Sequence, residues 1–174
     1  MAEAVAGGST YSTLLSRSAA ARALALLLPA ALLAGAFGSQ YFGGLYPCEM
    51  CWWQRYAHEA ALVPAALAFT APAGSQRSRL FILAAALAIA VSGAIGFYNA
   101  GVELKIFEGF TTCTSTAHGT STEDLLKQIV AAPMVRCDQV QWSLFGISLA
   151  GWNAILSLGG AAMITFLSLK GSRR

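Results

Sequence analysis

The sequence predicts an all-α integral membrane protein, a four-helix bundle formed by a single membrane domain of 174 residues. Two observations predict this fold class. Hydrophobic residues make up 56% of the chain and charged residues only 11%, whereas a typical soluble domain has about 45–50% and about 25%. The apolar residues are also gathered into stretches, and a helix of about 20 such residues crosses a bilayer. The composition excludes a disordered tail, a coiled coil and a charged nucleic-acid-binding protein, so no nucleic-acid partner is expected.

Four spans are predicted, at about residues 23–42, 53–73, 80–102 and 147–169. Ala23–Phe42 and Leu80–Val102 contain no charge, and the charge-free stretch Val140–Leu169 holds an approach segment before its span. The second span is less regular, because only Ala60–Ala73 is free of charge and is too short to cross. Extending it back to Trp53 includes three ionisable residues (Arg55, His58 and Glu59), which are costly in a membrane and therefore informative.

The distribution of Lys and Arg predicts the orientation of the spans. Seven of the eleven basic residues lie before the first span, between the second and third, or after the fourth: Arg17, Arg22, Arg77, Arg79, Lys170, Arg173 and Arg174. The positive-inside rule therefore predicts cytoplasmic termini and two outer loops, 43–52 and 103–146, in the periplasm of a bacterial inner membrane. A cleaved signal peptide ending at Ala34-Gly35-Ala36 is the alternative, but apolar residues continue past Ala36, which favours an uncleaved helix.

All four cysteines (Cys48, Cys51, Cys113 and Cys137) fall on the outer side, in an oxidising compartment. Cys48 and Cys51 form a C-x-x-C motif at the start of a helix, where the helix dipole favours a thiolate. A disulfide between them would close too small a loop to add much stability, so a reversible redox pair is favoured over a staple. Sequence alone leaves all three pairings of four cysteines open.

Two other interpretations of the cysteines remain. A Cys₄ zinc site usually repeats the C-x-x-C spacing, but 23 residues separate Cys113 from Cys137, and His118 is the only histidine of the outer loops. No metal is therefore expected. The second alternative is a pair of inert disulfides that staple the loops.

Arg55 lies four residues after Cys51 and therefore on the same helix face, one turn deeper. An arginine at that depth predicts either an ion pair with Glu59 or an interaction with a polar ligand and the Cys51 thiolate. His58 faces the same pocket or extends to the interface. Trp52 and Trp53 are typical of the interfacial aromatic belt, with stacking on a ligand as the alternative.

The second outer loop contains a predicted amphipathic helix. Ser121 and Asp124 fit a capping box, and an apolar stripe follows at helical spacing, formed by Leu125, Leu126, Ile129 and Val130. The helix would lie on the outer leaflet or pack on the top of the bundle.

Taken together, Pro47-Cys48-x-x-Cys51, Arg55, a second outer cysteine pair and four spans resemble the DsbB family of quinone-dependent disulfide-forming membrane proteins. Additional local matches are 96–103 (GFYNAGVE), Cys137-Asp138 ahead of Trp142, 146–148 (GIS) and Trp152-Asn153. The resemblance extends over most of Ala23 to Leu169.

The resemblance implies a relay of disulfides that re-oxidises a periplasmic, thioredoxin-fold partner similar to DsbA. Cys113 and Cys137 would oxidise the partner, with Cys113 forming the mixed disulfide. Cys48 would exchange with Cys137, and Cys51 would face a membrane quinone, ubiquinone or menaquinone, that Arg55 helps to bind. No soluble-cofactor motif is present, and a quinone needs only an apolar slot with a few polar groups.

Two residues depart from the family pattern. Asn99 stands where many relatives have histidine, which leaves the further quinone contacts open. Glu59 stands where an apolar residue is expected, and its i+4 spacing from Arg55 suggests a counter-ion or proton acceptor.

Two alternative functions remain. One is an enzyme similar to vitamin K epoxide reductase, although that family carries its C-x-x-C at the end of a late span. The other is a non-catalytic four-span membrane protein whose cysteines are structural.

Overall fold

The computed structural model describes residues 2–109, 121–123 and 136–170, with the side chains of the first helix described from Leu15 onward. These residues form four helices: α1 (Ala2–Tyr41), α2 (Glu49–Leu67), α3 (Gln76–Glu103) and α4 (Leu149–Lys170). A 3₁₀ turn, Ala68–Thr70, extends α2, and a short hairpin of β1 (Ser143–Leu144) and β2 (Ile147–Ser148) precedes α4. The predicted amphipathic helix lies outside the described residues, apart from Ser121–Glu123.

Three of the predicted spans correspond to helices that are long and apolar enough to cross a membrane: Leu15–Tyr41, Gln76–Glu103 and Leu149–Lys170. These bounds agree with the predictions to within a few residues, except that the first apolar helix begins earlier. The structure includes α2 in the same bundle, packed between α1 and α3. Its ionisable residues explain why this helix of 19 residues is less apolar than the other three.

Local hydrogen bonds set where the helices begin. The Cys48 side chain accepts the backbone N–H of Cys51 at the start of α2, and Ser75 accepts that of Ser78 at the start of α3. The Ser148 hydroxyl accepts the N–H of Gly151 in the same way at the start of α4. The fourth span was predicted from about residue 147, but the helix begins at Leu149 because Ile147 and Ser148 pair with the other strand of the hairpin.

The hairpin is a feature that the prediction of an all-α bundle did not include. Ser143 pairs with Ser148 and Leu144 with Ile147, which leaves a two-residue turn of Phe145 and Gly146. Both turn residues have positive φ, 53° and 77°, as a type I′ turn requires. The Phe145 side chain is 88% exposed at this turn.

The two ends of the bundle are built differently. One end, called here the alanine end, is packed from small residues and isoleucines: Ala21, Ala25, Ala61, Ala65, Ala68, Ile82, Ala85, Ala86, Ile89, Ala161 and Ile164. Small residues allow close helix approach, which is how helices associate in lipid. The opposite end, called here the cysteine end, carries Cys48, Cys51 and Cys137 with Met50 and Val102.

A buried arginine fastens the connection between α2 and α3 at the alanine end. Arg22 of α1 donates hydrogen bonds from Nε to the Ser78 hydroxyl (2.9 Å) and from Nη2 to the carbonyl oxygen of Ala71 (2.6 Å). Its guanidinium also lies over the Phe69 ring, 5.8 Å from the ring centroid. These contacts provide partners for two of the nitrogen atoms of a cation that would otherwise be costly to bury.

The outer surface of the bundle is strongly apolar. Large hydrophobic side chains are exposed on every helix, among them Leu27, Val63, Leu87, Phe97, Ile155 and Phe166. A soluble monomer rarely exposes contiguous apolar surface on this scale, whereas lipid chains solvate it without cost. The surface and the three apolar helices together indicate a multi-pass membrane protein.

Candidate functional site

Cys48 is the N-cap residue of α2, and this position brings its sulfur over the first turn of the helix. Pro47 precedes it, and the Cys48 backbone is extended (φ −73°, ψ 173°). Its Sγ accepts the backbone N–H of Cys51 at 3.2 Å. Cys48 is buried and Cys51 is half-buried, and both side chains are thiols without a disulfide bond. The C-x-x-C motif is therefore arranged at a helix start, as its sequence predicts.

Cys137, which is far away in the chain, lies beside this motif. Its side chain is hydrogen-bonded to that of Cys48, and both pack with Met50 and Val102. Two of the sulfurs that the predicted relay joins are thus in contact. Cys113, the fourth candidate cysteine, and His118 lie outside the described residues.

The hydrogen bonds of Cys48 affect where a proton resides. A hydrogen bond from Cys137 lowers the pKa of Cys48, but a hydrogen bond to Cys51 and burial act more strongly together and raise the pKa to about 12. Cys48 therefore keeps its proton at neutral pH. A protonated Cys48 donates toward Cys51 and stabilises a thiolate there, which is the reactive form of a cysteine.

An ionic anchor holds the segment around Cys137 against the end of α3. Asp138 accepts hydrogen bonds from Lys105 Nζ (2.7 Å) and from Arg136 Nη2 (2.6 Å). These two cations hold the pKa of Asp138 well below its usual range, mainly through the hydrogen bonds and with Arg136 contributing most. Lys105 lies just beyond α3 with a positive φ of 60°, so the chain turns there to meet the Cys137 segment.

Asn99 of α3 contacts both cysteines of the motif, a contact that sequence reasoning missed. It is fully buried, and its Nδ2 lies 3.8 Å from Cys48 Sγ and 3.9 Å from Cys51 Sγ. An amide N–H near two sulfurs favours negative charge on them. The i,i+4 logic that linked Arg55 to Cys51 applies within one helix and does not reach a residue of α3.

Arg55 is buried, and its partners come from α1. Its Nη1 donates to Gln40 Oε1 at 2.5 Å and its Nη2 to the carbonyl oxygen of Ala36 at 3.0 Å. The guanidinium lies 4.9 Å from the ring centroids of Phe37 and Trp52. The predicted ion pair with Glu59 is wrong, because Glu59 is exposed and Arg55 is bound by α1.

Trp52 and Trp53 are placed differently from each other. Trp52 is half-buried against Arg55 and stacks on Tyr56 with a centroid distance of 6.0 Å. Trp53 is 43% exposed. Neither side chain lines the cavity described next.

A cavity of about 460 Å³ opens beside the cysteines. It is lined mainly by apolar groups of α1, α2 and α4, and the sulfur-bearing residues Cys48, Cys51 and Cys137 lie on its wall. Its polar lining includes Ser39, Gln54, Arg55, His58, Glu103, Arg136, Gln139, Gln141 and Asn153. This combination of an apolar slot with a small number of polar groups is typical of a small-molecule site.

Buried polar atoms without a partner are concentrated at this site. Within the described residues, four buried side-chain atoms make no hydrogen bond: His58 Nδ1, Asn99 Oδ1, Glu103 Oε2 and Ser168 Oγ. His58 and Glu103 line the cavity, and Asn99 touches the sulfurs. Since buried polar groups are nearly always paired, this clustering indicates a site built for a polar ligand or for chemistry.

Metal binding receives no support from the described part of the chain. Within residues 2–109, 121–123 and 136–170, no group of three or more His, Cys, Asp or Glu side chains is arranged to hold a metal ion.

The comparisons with known proteins identify the family of the chain. Residues 18–167 match the family model described as disulfide bond formation protein DsbB. The chain belongs to the DsbB family.

Curated relatives carry the same family description. The disulfide bond formation protein B of Marinobacter nauticus is 30% identical over 140 residues, covering 76% of this chain and 80% of that protein. That of Polaromonas sp. is 31% identical, covering 84% and 90%. Disulfide bond formation protein B 2 of Pseudomonas syringae pv. syringae is 31% identical, covering 84% and 85%. No solved structure matches the chain.

Membership of the DsbB family makes this protein a disulfide-forming oxidoreductase of the membrane. The contact of Cys137 with Cys48 is the arrangement that disulfide exchange between two segments requires, because the attacking sulfur must reach the sulfur that it attacks.

Proposed function

We propose that this protein is a thiol:quinone oxidoreductase. It re-oxidises a periplasmic dithiol protein similar to DsbA and passes the electrons to ubiquinone or menaquinone. The single observation that carries the proposal is the shared cavity, on whose wall Cys48, Cys51, Cys137 and Arg55 all lie. Thiol exchange only moves disulfides from one protein to another, so a terminal acceptor of two electrons is needed beside the last cysteine pair.

The residues at the cavity fit a quinone. A cavity of about 460 Å³ lies within the range of about 300–1,000 Å³ for small-molecule sites. An apolar ring with two polar oxygens suits a mainly apolar wall with a few hydrogen-bonding groups. When bound, the quinone supplies the acceptor for two electrons and two protons. The exposed apolar surface of the bundle supports entry from the lipid phase.

Each cysteine has a distinct task in the proposed relay. The thiolate of the reduced partner attacks Cys113 in the Cys113–Cys137 disulfide and releases Cys137. Cys137 in turn attacks Cys48, to which it is hydrogen-bonded, and releases Cys51 from the Cys48–Cys51 disulfide. Cys48 receives the exchange because its sulfur contacts that of Cys137, and Cys51 lies beside it on the wall of the cavity. Formation of the Cys48–Cys51 disulfide releases the two electrons.

Arg55 is held in a fixed position by α1 and places its positive charge beside Cys51. Its guanidinium is fixed by Gln40 and Ala36 of α1 and held between Phe37 and Trp52. A planar cation held in this way presents a fixed positive field beside Cys51 and favours the thiolate. The same contacts join α1 to α2 beside the cavity, whose wall includes Ala36 and Arg55.

The contacts of α1 also support an uncleaved first span. Ala31 to Ser39 contribute to the wall of the cavity, and Ala36 and Gln40 bind Arg55. Removal of α1 up to Ala36 would leave Arg55 without its backbone acceptor. The proposed topology keeps four spans, with both termini cytoplasmic and the cysteine end in the periplasm, as the basic residues predict.

The test is quinone-coupled oxidation of a reduced partner. Purified protein in detergent receives a reduced thioredoxin-fold dithiol protein and a short-chain ubiquinone or menaquinone without oxygen, and quinol formation is followed by absorbance. We expect catalytic quinol formation that Cys48→Ser and Cys51→Ser both abolish. Thr165→Ala, which lies in α4 away from the cavity, is the matched control and should keep full activity.

Absence of quinol in the wild type, together with disulfides that resist mild reductant, would contradict the proposal and favour a protein with structural disulfides. Mass mapping of alkylated cysteines in the same samples identifies the resting pairs.

A further inference from the structure

A buried histidine that the proposed relay does not use lies on the wall of the same cavity. His58 is 3% exposed, and it follows Cys51 by seven residues and Arg55 by three. The three side chains therefore lie along one stripe of α2. At about 1.5 Å of rise per residue, His58 lies about 10 Å deeper than Cys51. The cavity thus reaches along α2 from a redox cysteine to an imidazole.

The neighbours of Asn153 determine the orientation of its side-chain amide. Asn153 Nδ2 lies 3.2 Å from the carbonyl oxygen of Ser92 and 2.8 Å from Gln54 Oε1. A backbone carbonyl only accepts hydrogen bonds, so the NH₂ group of Asn153 must be on that side. Its Oδ1 is consequently on the side of His58, where it also accepts from the Ser157 hydroxyl at 3.0 Å.

This orientation determines the tautomer of His58. Its Nε2 lies 2.9 Å from Asn153 Oδ1, and because an amide oxygen only accepts, Nε2 must carry the hydrogen. Neutral His58 therefore has a lone pair on Nδ1. Within the described residues no group bonds to Nδ1, although the atom is buried. The imidazole is held by one nitrogen while the other remains available.

The side chains of the neighbouring helices that contact His58 or its hydrogen-bond network are neutral. Asn153 and Ser157 face it from α4, and Ser92 of α3 completes the network through Asn153. The charged groups of α2 nearest to His58 in sequence are Arg55, which α1 binds, and Glu59, which is exposed, while Glu49 lies at the start of the helix. Glu103 lines the same cavity from the end of α3. The imidazole can therefore change its protonation without breaking an ion pair within the described residues.

We propose that His58 transfers a proton to the bound quinone through Nδ1, an inference that rests on the proposed quinone reduction. As the Cys48–Cys51 bond forms, the two sulfurs give up two electrons and two protons. Protonated His58 donates from Nδ1 to one quinone oxygen, and the proton lost by the Cys48 thiol goes to the other quinone oxygen, on the side of the cysteines. A proton lost when the Cys51 thiol ionises restores His58. The sum is one dithiol and one quinone converted to one disulfide and one quinol.

The test compares two substitutions that disturb the same network. His58→Gln keeps an amide N–H that can donate to Asn153 Oδ1, but it removes the titratable nitrogen. Ser157→Ala removes another hydrogen bond to the same Oδ1 and keeps the imidazole. Pre-reduced protein is mixed with a short-chain ubiquinone without oxygen, and quinol formation is measured between about pH 5 and pH 8, where histidine titrates.

General acid catalysis typically contributes about 10²–10⁴-fold to a rate. We expect His58→Gln to slow quinol formation by about a hundredfold and to flatten its pH dependence. Thiol exchange with the reduced partner, which does not involve the quinone, should stay at the wild-type rate. Ser157→Ala should stay within about threefold of wild type with the wild-type pH profile.

A readout independent of activity is the ¹⁵N resonance of the histidine rings, since the chain contains two histidines. The ring signals of His58 are those missing from the spectrum of His58→Gln. Addition of the same quinone to the wild-type protein should shift the Nδ1 resonance among them. A wild-type rate and pH profile in His58→Gln overturns the inference while the proposed function stands. An unshifted Nδ1 overturns it as well, and if His58→Gln does not fold, His118→Gln identifies the ring instead, because it leaves His58 as the one histidine of the chain. Failure of the wild type to reduce quinone overturns both.

Discussion

The alanine end and the cysteine end of the bundle are built from the same four helices but differ in packing and in polarity. At the alanine end the helices approach closely over small residues such as Ala25 and Ala65, both fully buried. At the cysteine end the buried residues include Gln54, Arg55, His58 and Asn99, and the helices leave a cavity between them. Burying polar groups costs stability unless each is paired. We infer from this comparison that tight packing at the alanine end offsets the cost of the cavity and the buried polar groups at the cysteine end.

The largest expected loss of turnover comes from removing one sulfur atom at the cysteine end. Cys51→Ser changes a half-buried side chain by one atom, so the fold should tolerate it. Because the last disulfide of the relay then cannot form, quinone-coupled turnover should fall to the background rate measured in buffer without the protein. Turnover is measured with a reduced dithiol partner, and the thermal unfolding temperature is measured in parallel. Residual turnover above buffer would show that Cys51 is not the donor.

The matching change at the alanine end should have the opposite effect. Ile164 is fully buried in the alanine-rich core, and Ile→Ala in a packed core costs about 2–5 kcal/mol. Ile164→Ala should therefore lower the unfolding midpoint in a denaturing detergent, while turnover per folded molecule stays near the wild-type value. A large loss of turnover with unchanged stability would show that the two ends are not separable in this way.

Asn99→Asp tests the contact between α3 and the sulfurs. It replaces an amide N–H near both sulfurs with a carboxylate of similar size, which opposes a thiolate. Alkylation of Cys51 with iodoacetamide should then need a pH about one unit higher, and at fixed pH it should be about tenfold slower. Asn99→Ala, which only removes the donor, should lie between this variant and the wild type. Identical alkylation profiles in all three proteins would remove Asn99 from the site.

The cysteine end and the alanine end were predictable from sequence to different degrees. Charge-free apolar stretches predicted the spans, because crossing a bilayer demands about 20 such residues. Cys48, Cys51 and Arg55 were found through spacing within one helix. The contact of Cys137 with Cys48 and the bond of His58 to Asn153 were not derivable from spacing. They join residues up to 95 positions apart, which only the packed bundle brings together.

The same limit explains the error at Arg55. Sequence spacing offered Glu59 as a partner because both lie on α2, one turn apart. The structure provides Gln40 and Ala36 of α1 instead. The argument from membrane depth marked Arg55 as a candidate site residue, but the identity of its partners depended on which helix packs against that face.

Changes at the ionic anchor around Asp138 should have the smallest effect. Its pKa is lowered by Arg136 and Lys105, so its pairing persists above the usual carboxyl pKa of about 3.9 and is lost only as the pH falls through the lower folded value. Disulfide exchange between Cys137 and Cys48 should therefore show no dependence on Asp138 titration above about pH 5. Asp138→Asn should slow that exchange only a few-fold, less so in high salt, where surface pairs are screened. A steep loss between pH 7 and pH 5 that Asp138→Asn removes would contradict this assignment.

The most direct measurement is a single turnover without any partner protein. A variant that keeps only Cys48 and Cys51, with Cys113→Ser and Cys137→Ser, is fully reduced and mixed with a short-chain quinone without oxygen. Quinol is measured by absorbance, and the disulfide by mass after alkylation. One quinol and one Cys48–Cys51 disulfide should form per protein molecule, at a rate set by the quinone concentration. Accessible thiols that stay reduced while the quinone stays oxidised would contradict the assignment of this cavity as the quinone site.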